Sequence, residues 1–410
     1  MVKIAKKPKS QAGIAHILAL LAVIIALGAL TFVFIYVRGH RLAPASRDLT
    51  AQHSCQSPFS VAPINNKDLA NITPLGNLQP PDHALPTDHI YFILNGTFDA
   101  KSGRLQTQPT SVYAPGDIEL KEITAAQYFD SGGSLINSDY SLRFSPCKNV
   151  DGYFHHMSSL SDDLQKKVDG AKGKECQQYD IASGGASNTK RCRVTLQTKA
   201  GAGTALGTAG GKTAAGLDMG LTDDRLAKLS FANPRRYNGG YAQTVCPIDY
   251  YTPAVKTALQ KLFGVPDNPR TQMPVCGEIM QDKAGTIQGN WFYNNAKDDP
   301  DGWTKELAIV HDNNNPDIGV ISVGGVITIA GKVLFTPTNA GQLNREPSQV
   351  TADGVIYCYE TNAASKVGNR GMSGRIVLQL INTTHLKIEG QTGACNTDPS
   401  FASAARTYER

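Results

Sequence analysis

Hydrophobic and polar positions divide this chain into three regimes. Between Ile14 and Val37 the sequence IAHILALLAVIIALGALTFVFIYV holds no Asp, Glu, Lys or Arg, and at about 1.5 Å per residue a helix of that length covers a hydrocarbon core of roughly 30 Å. The pattern predicts a transmembrane helix at 14–37 behind a basic segment at 1–13. The run continues past Gly28 and Ala29, beyond the roughly 7–15 apolar residues of a cleavable signal peptide, so an uncleaved anchor is expected. Residues 38–83 are rich in Pro, Ser, Asn and Gln and keep no sustained period of 2 or 3.6, which reads as a spacer.

From residue 84 onward short apolar runs are broken by Gly, Pro and Asn. HIYFIL at His89, SVYAP at Ser111, DYSLRF at Asp139, VTLQT at Val194, GVISVGGVITI at Gly319, VLFTP at Val333, GVIYCYE at Gly354 and RIVLQL at Arg375 read as strands of a mainly β protein. Helical periods are few, the clearest being SLSDDLQKKV from Ser159 and TPAVKTALQKLF from Thr252, the latter with Thr252 placed to cap and Gly264 to stop it. The Gly/Ala-rich stretch Lys199 to Gly216 lies between strand-like runs, with glycines spaced for tight turns and close backbone approach.

Charge and cysteine use assign sides to the anchor. Lys3, Lys6, Lys7 and Lys9 precede it and Arg38, Arg41 and Arg47 follow it, a small margin for an N-terminus inside. All eight cysteines lie after it, as suits a body exported to an oxidising space. The formal charge of +5 belongs to the N-terminal end: residues 1–41 hold six of the 40 basic side chains and none of the 35 acidic ones. A near-neutral body offers no electrostatic footprint for nucleic acid. Cys246 and Cys276 bracket the helix at Thr252, which makes them the first candidate disulfide, and Cys358 with Cys395 the second. Eight cysteines nonetheless allow 105 connectivities.

PTDHIYFI (Pro86 to Ile93), SVYAPGDIELKEI (Ser111 to Ile123), FHHMSSLS (Phe154 to Ser161) and AGTALGTAGGKTAAGLDMGL (Ala202 to Leu221), taken in order, resemble the lysostaphin-type (LytM-type, duplicated hybrid motif) peptidases. These are zinc enzymes that cut peptidoglycan cross-links. The resemblance implies a β domain over 84–228, with His89 at the first zinc ligand, His156 at the catalytic histidine, and a ligand aspartate four positions after His89. That position is Ile93, and the family's alternating histidine pair is replaced by Asp218 and Gly220. A catalytic zinc needs three protein ligands and an open position, so the expectation is a non-catalytic relative with no cofactor. His89, His156 and Asp218 remain as the remnant site, and His89 is a metal ligand only if zinc is retained. Asp88 with His89 as an acid/base pair, His83 with Asp88 as replacement ligands, and His155 with His156 as a metal pair are secondary readings. Adjacent strand residues face opposite sides, which counts against the first and last.

Residues 229–410 read as a disulfide-stapled β domain, a small barrel or sandwich joined by Asn/Gly/Asp turns. His311 and Asp312 read as a strand end entering a turn. Asp298, Asp299, Asp301, Asp312 and Asp317 do not fit EF-hand spacing, and Trp291 and Trp303, with Phe292 and Tyr293, read as core, a carbohydrate or peptide platform being the alternative. The start of the chain also resembles a type IV pilin leader, with basic residues, Gly13 and a long apolar helix, although Leu18 stands where pilins carry a Glu. The expected function is membrane-anchored attachment in the cell envelope of a bacterium, binding peptidoglycan or an envelope partner. The alternatives are an active zinc peptidase with unconventional ligands and a pilin-like assembly subunit.

Overall fold

The computed structural model describes residues 55–101, 103–179, 187–237, 239–294, 302–363, 371–395 and 398–410. The basic N-terminus, the expected anchor at 14–37, residues 38–54 of the expected spacer, Gly13 and Leu18, and Asp298, Asp299 and Asp301 lie outside the described residues. Among the described residues no helix is long and apolar enough to cross a membrane. His53–Arg410 forms one compact unit, and it is mainly β.

In chain order come β1 (Leu69–Thr73), β2 (His89–Leu94), β3 (Gly96–Asp99), β4 (Arg104–Thr107), β5 (Thr110–Tyr113), β6 (Ile118–Phe129), β7 (Leu135–Cys147), β8 (Val150–Leu160) and α1 (Asp162–Gly170). They are followed by β9 (Glu175–Tyr179), β10 (Asn188–Ala200), β11 (Ala205–Ala209) and β12 (Gly216–Asp223). One antiparallel sheet runs β1-β2-β12-β8-β7-β6-β10-β9, with β11 pairing both β5 and β8. Period-2 alternation sends Ile90, Phe92 and Leu94 of β2, Leu217, Met219 and Leu221 of β12, and Leu142 and Phe144 of β7 into the core. α1 starts two residues after β8 ends, capped by the Ser161 hydroxyl, which accepts from the Leu164 amide.

Two expected boundaries move. Phe59, Ile64, Leu69, Ile72, Leu75 and Leu78 are buried, and β1 pairs with β2, so residues 55–83 belong to the body and not to a spacer. Their apolar side chains are spaced irregularly because much of the segment is buried coil, which leaves no period to read. The division expected at 228/229 also shifts: Phe231, Tyr251, Leu259, Phe263 and Ile279 pack into the first core, and the second core begins at Ile287. α2 (Pro253–Gln260) therefore joins the first core, through buried Leu259. Thr252 precedes it without a side-chain capping bond.

After β13 (Gly264–Val265) and β14 (Asn268–Pro269) come β15 (Gly289–Phe292), β16 (Glu306–His311), β17 (Gly319–Val323), β18 (Gly331–Phe335), β19 (Tyr357–Glu360), β20 (Arg375–Asn382), β21 (His385–Gln391) and β22 (Arg406–Glu409). The last eight form an antiparallel meander ordered β18-β17-β16-β15-β22-β21-β20-β19. It is nearly closed where the Asn362 and Ala363 amides donate to the Leu334 carbonyl, at 3.0 and 3.2 Å. Inward positions alternate along every strand, from Leu307 and Ile309 to Leu386, Ile388 and Tyr408, filling an eight-stranded barrel with side chains. Trp291 is fully buried in it, Phe292 is buried beside it and Tyr293 is half-buried against it, whereas Trp303, expected in the core, is exposed because it sits in the helical turn Gly302–Lys305 and not in a strand. All eight cysteines pair, as Cys55–Cys147, Cys176–Cys192, Cys246–Cys276 and Cys358–Cys395. Both candidate disulfides are among them.

The barrel grips the segment between β1 and β2. Ala308, Val310, Val320 and Leu334 on its outer face pack on Leu78, with Leu85 at the edge. The Lys332 ammonium donates to the Leu78 carbonyl at 2.8 Å and the Asn313 amide to the Pro74 carbonyl at 3.0 Å. Inside the segment, Gln79 and His83 exchange both backbone hydrogen bonds.

Candidate functional site

The outer face of β2 carries His89, Tyr91 and Ile93, every second residue. β12 sets Gly220 opposite His89, Asp218 opposite Tyr91 and Gly216 opposite Ile93. On its other side β8 sets Tyr153 opposite Gly220 and His155 opposite Asp218. The next residue breaks the alternation. Between the pairs Leu142–Phe154 and Tyr140–Met157 the strand β7 contributes one residue and β8 two, and His156 takes φ +66°. This bulge returns Met157 to the core while both His155 and His156 stay outside it. The opposite-sides expectation for these two histidines is therefore corrected. The Asp88–His89 expectation is corrected too, because Asp88 lies just before β2, outside the pleat, and its carboxylate folds back onto the His89 ring.

Four of the nine histidines meet on this face with three aspartates and two tyrosines. Asp88 Oδ1 lies 3.0 Å from His89 Nδ1, and His89 Nε2 lies 3.4 Å from Asp218 Oδ2. The same Asp218 oxygen lies 3.4 Å from His156 Nε2, and His156 Nδ1 lies 2.8 Å from Asp139 Oδ2. Carboxylates and imidazoles thus alternate in a row of five: Asp88, His89, Asp218, His156, Asp139. Tyr153 donates its hydroxyl to Asp88 at 2.8 Å and stacks on His155 with ring centroids 4.4 Å apart. His83, held by the barrel-gripped segment, sets its ring edge-on to His89 at 5.5 Å. The sequence names His89, His156 and Asp218, and the fold brings all three together.

Burial and hydrogen bonding divide these groups electrostatically. Burial works against the Asp88 carboxylate, yet hydrogen bonds from His89 and Tyr153 hold it below the ordinary range. Burial pushes Asp218 up, and the neighbouring His89 and His156 offset this only in part. Burial alone would lower His156, but the Asp139 hydrogen bond and the Asp218 and Asp139 charges raise it to about 9. Burial, then the His89 and His156 charges, bring His155 down to about 3, and burial followed by His89 brings His83 to about 4. His89 and Asp218 are buried, whereas the His156 side chain is 42% exposed, which makes it the group that solvent or a ligand meets.

No family model, curated protein or solved structure matches this chain. The lysostaphin-type resemblance therefore rests on its phrases, and its zinc can be tested against the geometry. Ile93 shares the His89 face and offers no donor. At Gly220, a Cβ would stand 2.2 Å from two carbons of the Tyr153 ring, so the position that the resemblance gives to a histidine is covered by an aromatic side chain. The residues present do not fit the family's zinc. Among the described residues no three His, Cys, Asp or Glu side chains are gathered tightly enough, as they stand, to hold an ion.

Asp139 and Tyr153 escaped sequence reasoning. Asp139 sits on β7, and only the β7–β8 register carries it to His156. Tyr153 had a legible signal, since i and i+2 place it on the His155 face.

Proposed function

We propose that this chain is a membrane-anchored, extracytoplasmic cell-envelope protein whose first sheet binds peptidoglycan, or an envelope partner, through the His/Asp/Tyr face without hydrolysing it. The observation that supports this most is Tyr153 over Gly220. A side chain occupies the place of a family zinc ligand and donates to Asp88, so the face keeps hydrogen-bonding groups but not that zinc pocket. A row of carboxylates and imidazoles ending at exposed His156 suits the amides, amines and carboxylates of wall peptides. The fold does not by itself imply activity. The test is co-sedimentation of the full-length chain in mild detergent with purified sacculi. Retention in the pellet that falls several-fold in Asp139→Asn supports the reading. A chain that stays wholly in the supernatant with sacculi contradicts peptidoglycan as the ligand.

One observation favours a second reading, an active zinc peptidase with unconventional ligands: His89, His156 and Asp218 converge although the family's own set does not. Release of soluble wall peptides by the chain is its signature.

A further inference from the structure

His89 and His156 come from different strands, yet each ring has Nδ1 against a carboxylate, Asp88 at 3.0 Å and Asp139 at 2.8 Å. A carboxylate accepting from Nδ1–H fixes the imidazole tautomer and leaves the Nε2 lone pair free. Both Nε2 atoms face one oxygen, Asp218 Oδ2, each at 3.4 Å. Once His156 gives up the proton that Asp139 and Asp218 favour, two nitrogen lone pairs and a carboxylate oxygen are directed at the same space, so a metal ion bound there replaces that proton. His89 Nε2 is itself buried without a hydrogen-bond partner, although His89 is only 6% exposed. An orphaned buried nitrogen aimed at a buried carboxylate calls for a cation between them.

The spacing identifies the kind of cation. Ligands about 2.0–2.1 Å from a tetrahedral ion stand roughly 3.4 Å from one another, as His89 Nε2 and His156 Nε2 each stand from Asp218 Oδ2. Two imidazoles and one carboxylate form a donor set for zinc and similar borderline divalent ions. We infer that His89, Asp218 and His156 form a divalent transition-metal site, closed by a small movement of the exposed His156 ring, with Asp88 and Asp139 as positioning residues behind the two histidines. This set differs from the family's, which needs donors at Ile93 and Gly220. It goes beyond the binding reading by placing a metal on the face that meets the ligand. The fourth position faces the open His156 side and takes water or a ligand oxygen.

The test uses the full-length chain in detergent, stripped with a chelator and titrated with Zn²⁺ and with Co²⁺, reading bound metal by mass spectrometry and the cobalt absorption bands. One equivalent per chain is expected. Asp218→Asn and His156→Gly should each weaken binding at least 100-fold, the glycine being suited to the positive φ of the bulge. Asp139→Asn leaves all three ligands in place and should cost about 10–100-fold, while His385→Ala on the barrel should change nothing. A folded wild-type chain that binds less than a tenth of an equivalent, or binding that Asp218→Asn leaves intact, overturns the site. Sacculus retention measured on the same samples separates the two claims: retention without metal removes this inference alone, and metal without retention removes the binding reading alone.

Discussion

At the scale of single residues, the missing side chain at Gly220 lets the Tyr153 ring lie over β12 and reach Asp88. Because Tyr153 lies over it, Gly220→Ala must push the ring away and break the hydrogen bond to Asp88. Overpacking of this kind costs about 1–3 kcal/mol, read as a loss in denaturant unfolding. Tyr153→Ala opens the space, so the double variant should be less destabilised than the sum of the two singles. Strict additivity would contradict the contact. A second residue-scale expectation concerns Glu306 at the start of β16. Burial pushes its carboxyl from 4.5 up to about 7. The folded chain therefore binds this proton more tightly than the unfolded chain, and Glu306 costs stability progressively as pH rises from about 4.5 to about 7. Glu306→Gln should gain melting temperature relative to the parent between about pH 5 and pH 8. A constant offset across that range would contradict the assignment.

At the scale of elements, the bulge in β8 is what makes neighbouring histidines act together. His156 holds φ +66°, a region that glycine occupies more cheaply by about 1 kcal/mol. His156→Gly should therefore be more stable than His156→Ala by about that amount in chemical denaturation, and equal stabilities would argue against the bulge. The bulge also marks the limit of sequence reading. HIYFIL, DYSLRF, VTLQT and RIVLQL are legible as parts of β2, β7, β10 and β20 because each is a short apolar run in a stretch broken by Gly, Pro and Asn. The long β6 is not, since ITAAQYF alternates weakly on a half-exposed hairpin. His155 and His156 look like opposite faces in any regular strand, and only the unequal count against β7 reverses that. Residues 55–83 look like a spacer in the sequence because buried coil carries no period. The cysteines were partly legible: the pairs 246–276 and 358–395 close short loops, whereas Cys55–Cys147 spans 92 residues and depends on the fold. All eight thiols should resist alkylation in the unreduced, denatured chain, and mass shifts at any of them would contradict the pairing.

At the scale of the whole molecule, the barrel acts on the site without entering it. Its outer face and Lys332 hold the segment that carries His83 and Asp88. Lys332→Met leaves the Leu78 carbonyl without its 2.8 Å partner, a loss of about 1–3 kcal/mol for a buried acceptor. Hydrogen exchange should quicken at Gln79, His83 and Thr87 while amides of the barrel strands keep their protection, and uniform quickening would contradict a local clamp. In the proposed function, the anchor expected at 14–37 sets where this body works, and the wall is the ligand that such a location offers. The account's central claim is binding at this face without cutting. Its most direct test is to incubate the full-length chain with sacculi, with and without added zinc, and to follow soluble peptide and sugar fragments in the supernatant by mass spectrometry while the chain is followed in the pellet. The account predicts a chain retained on the wall and a supernatant no different from sacculi alone. Fragments that accumulate with time, and that vanish in Asp218→Asn, would contradict it.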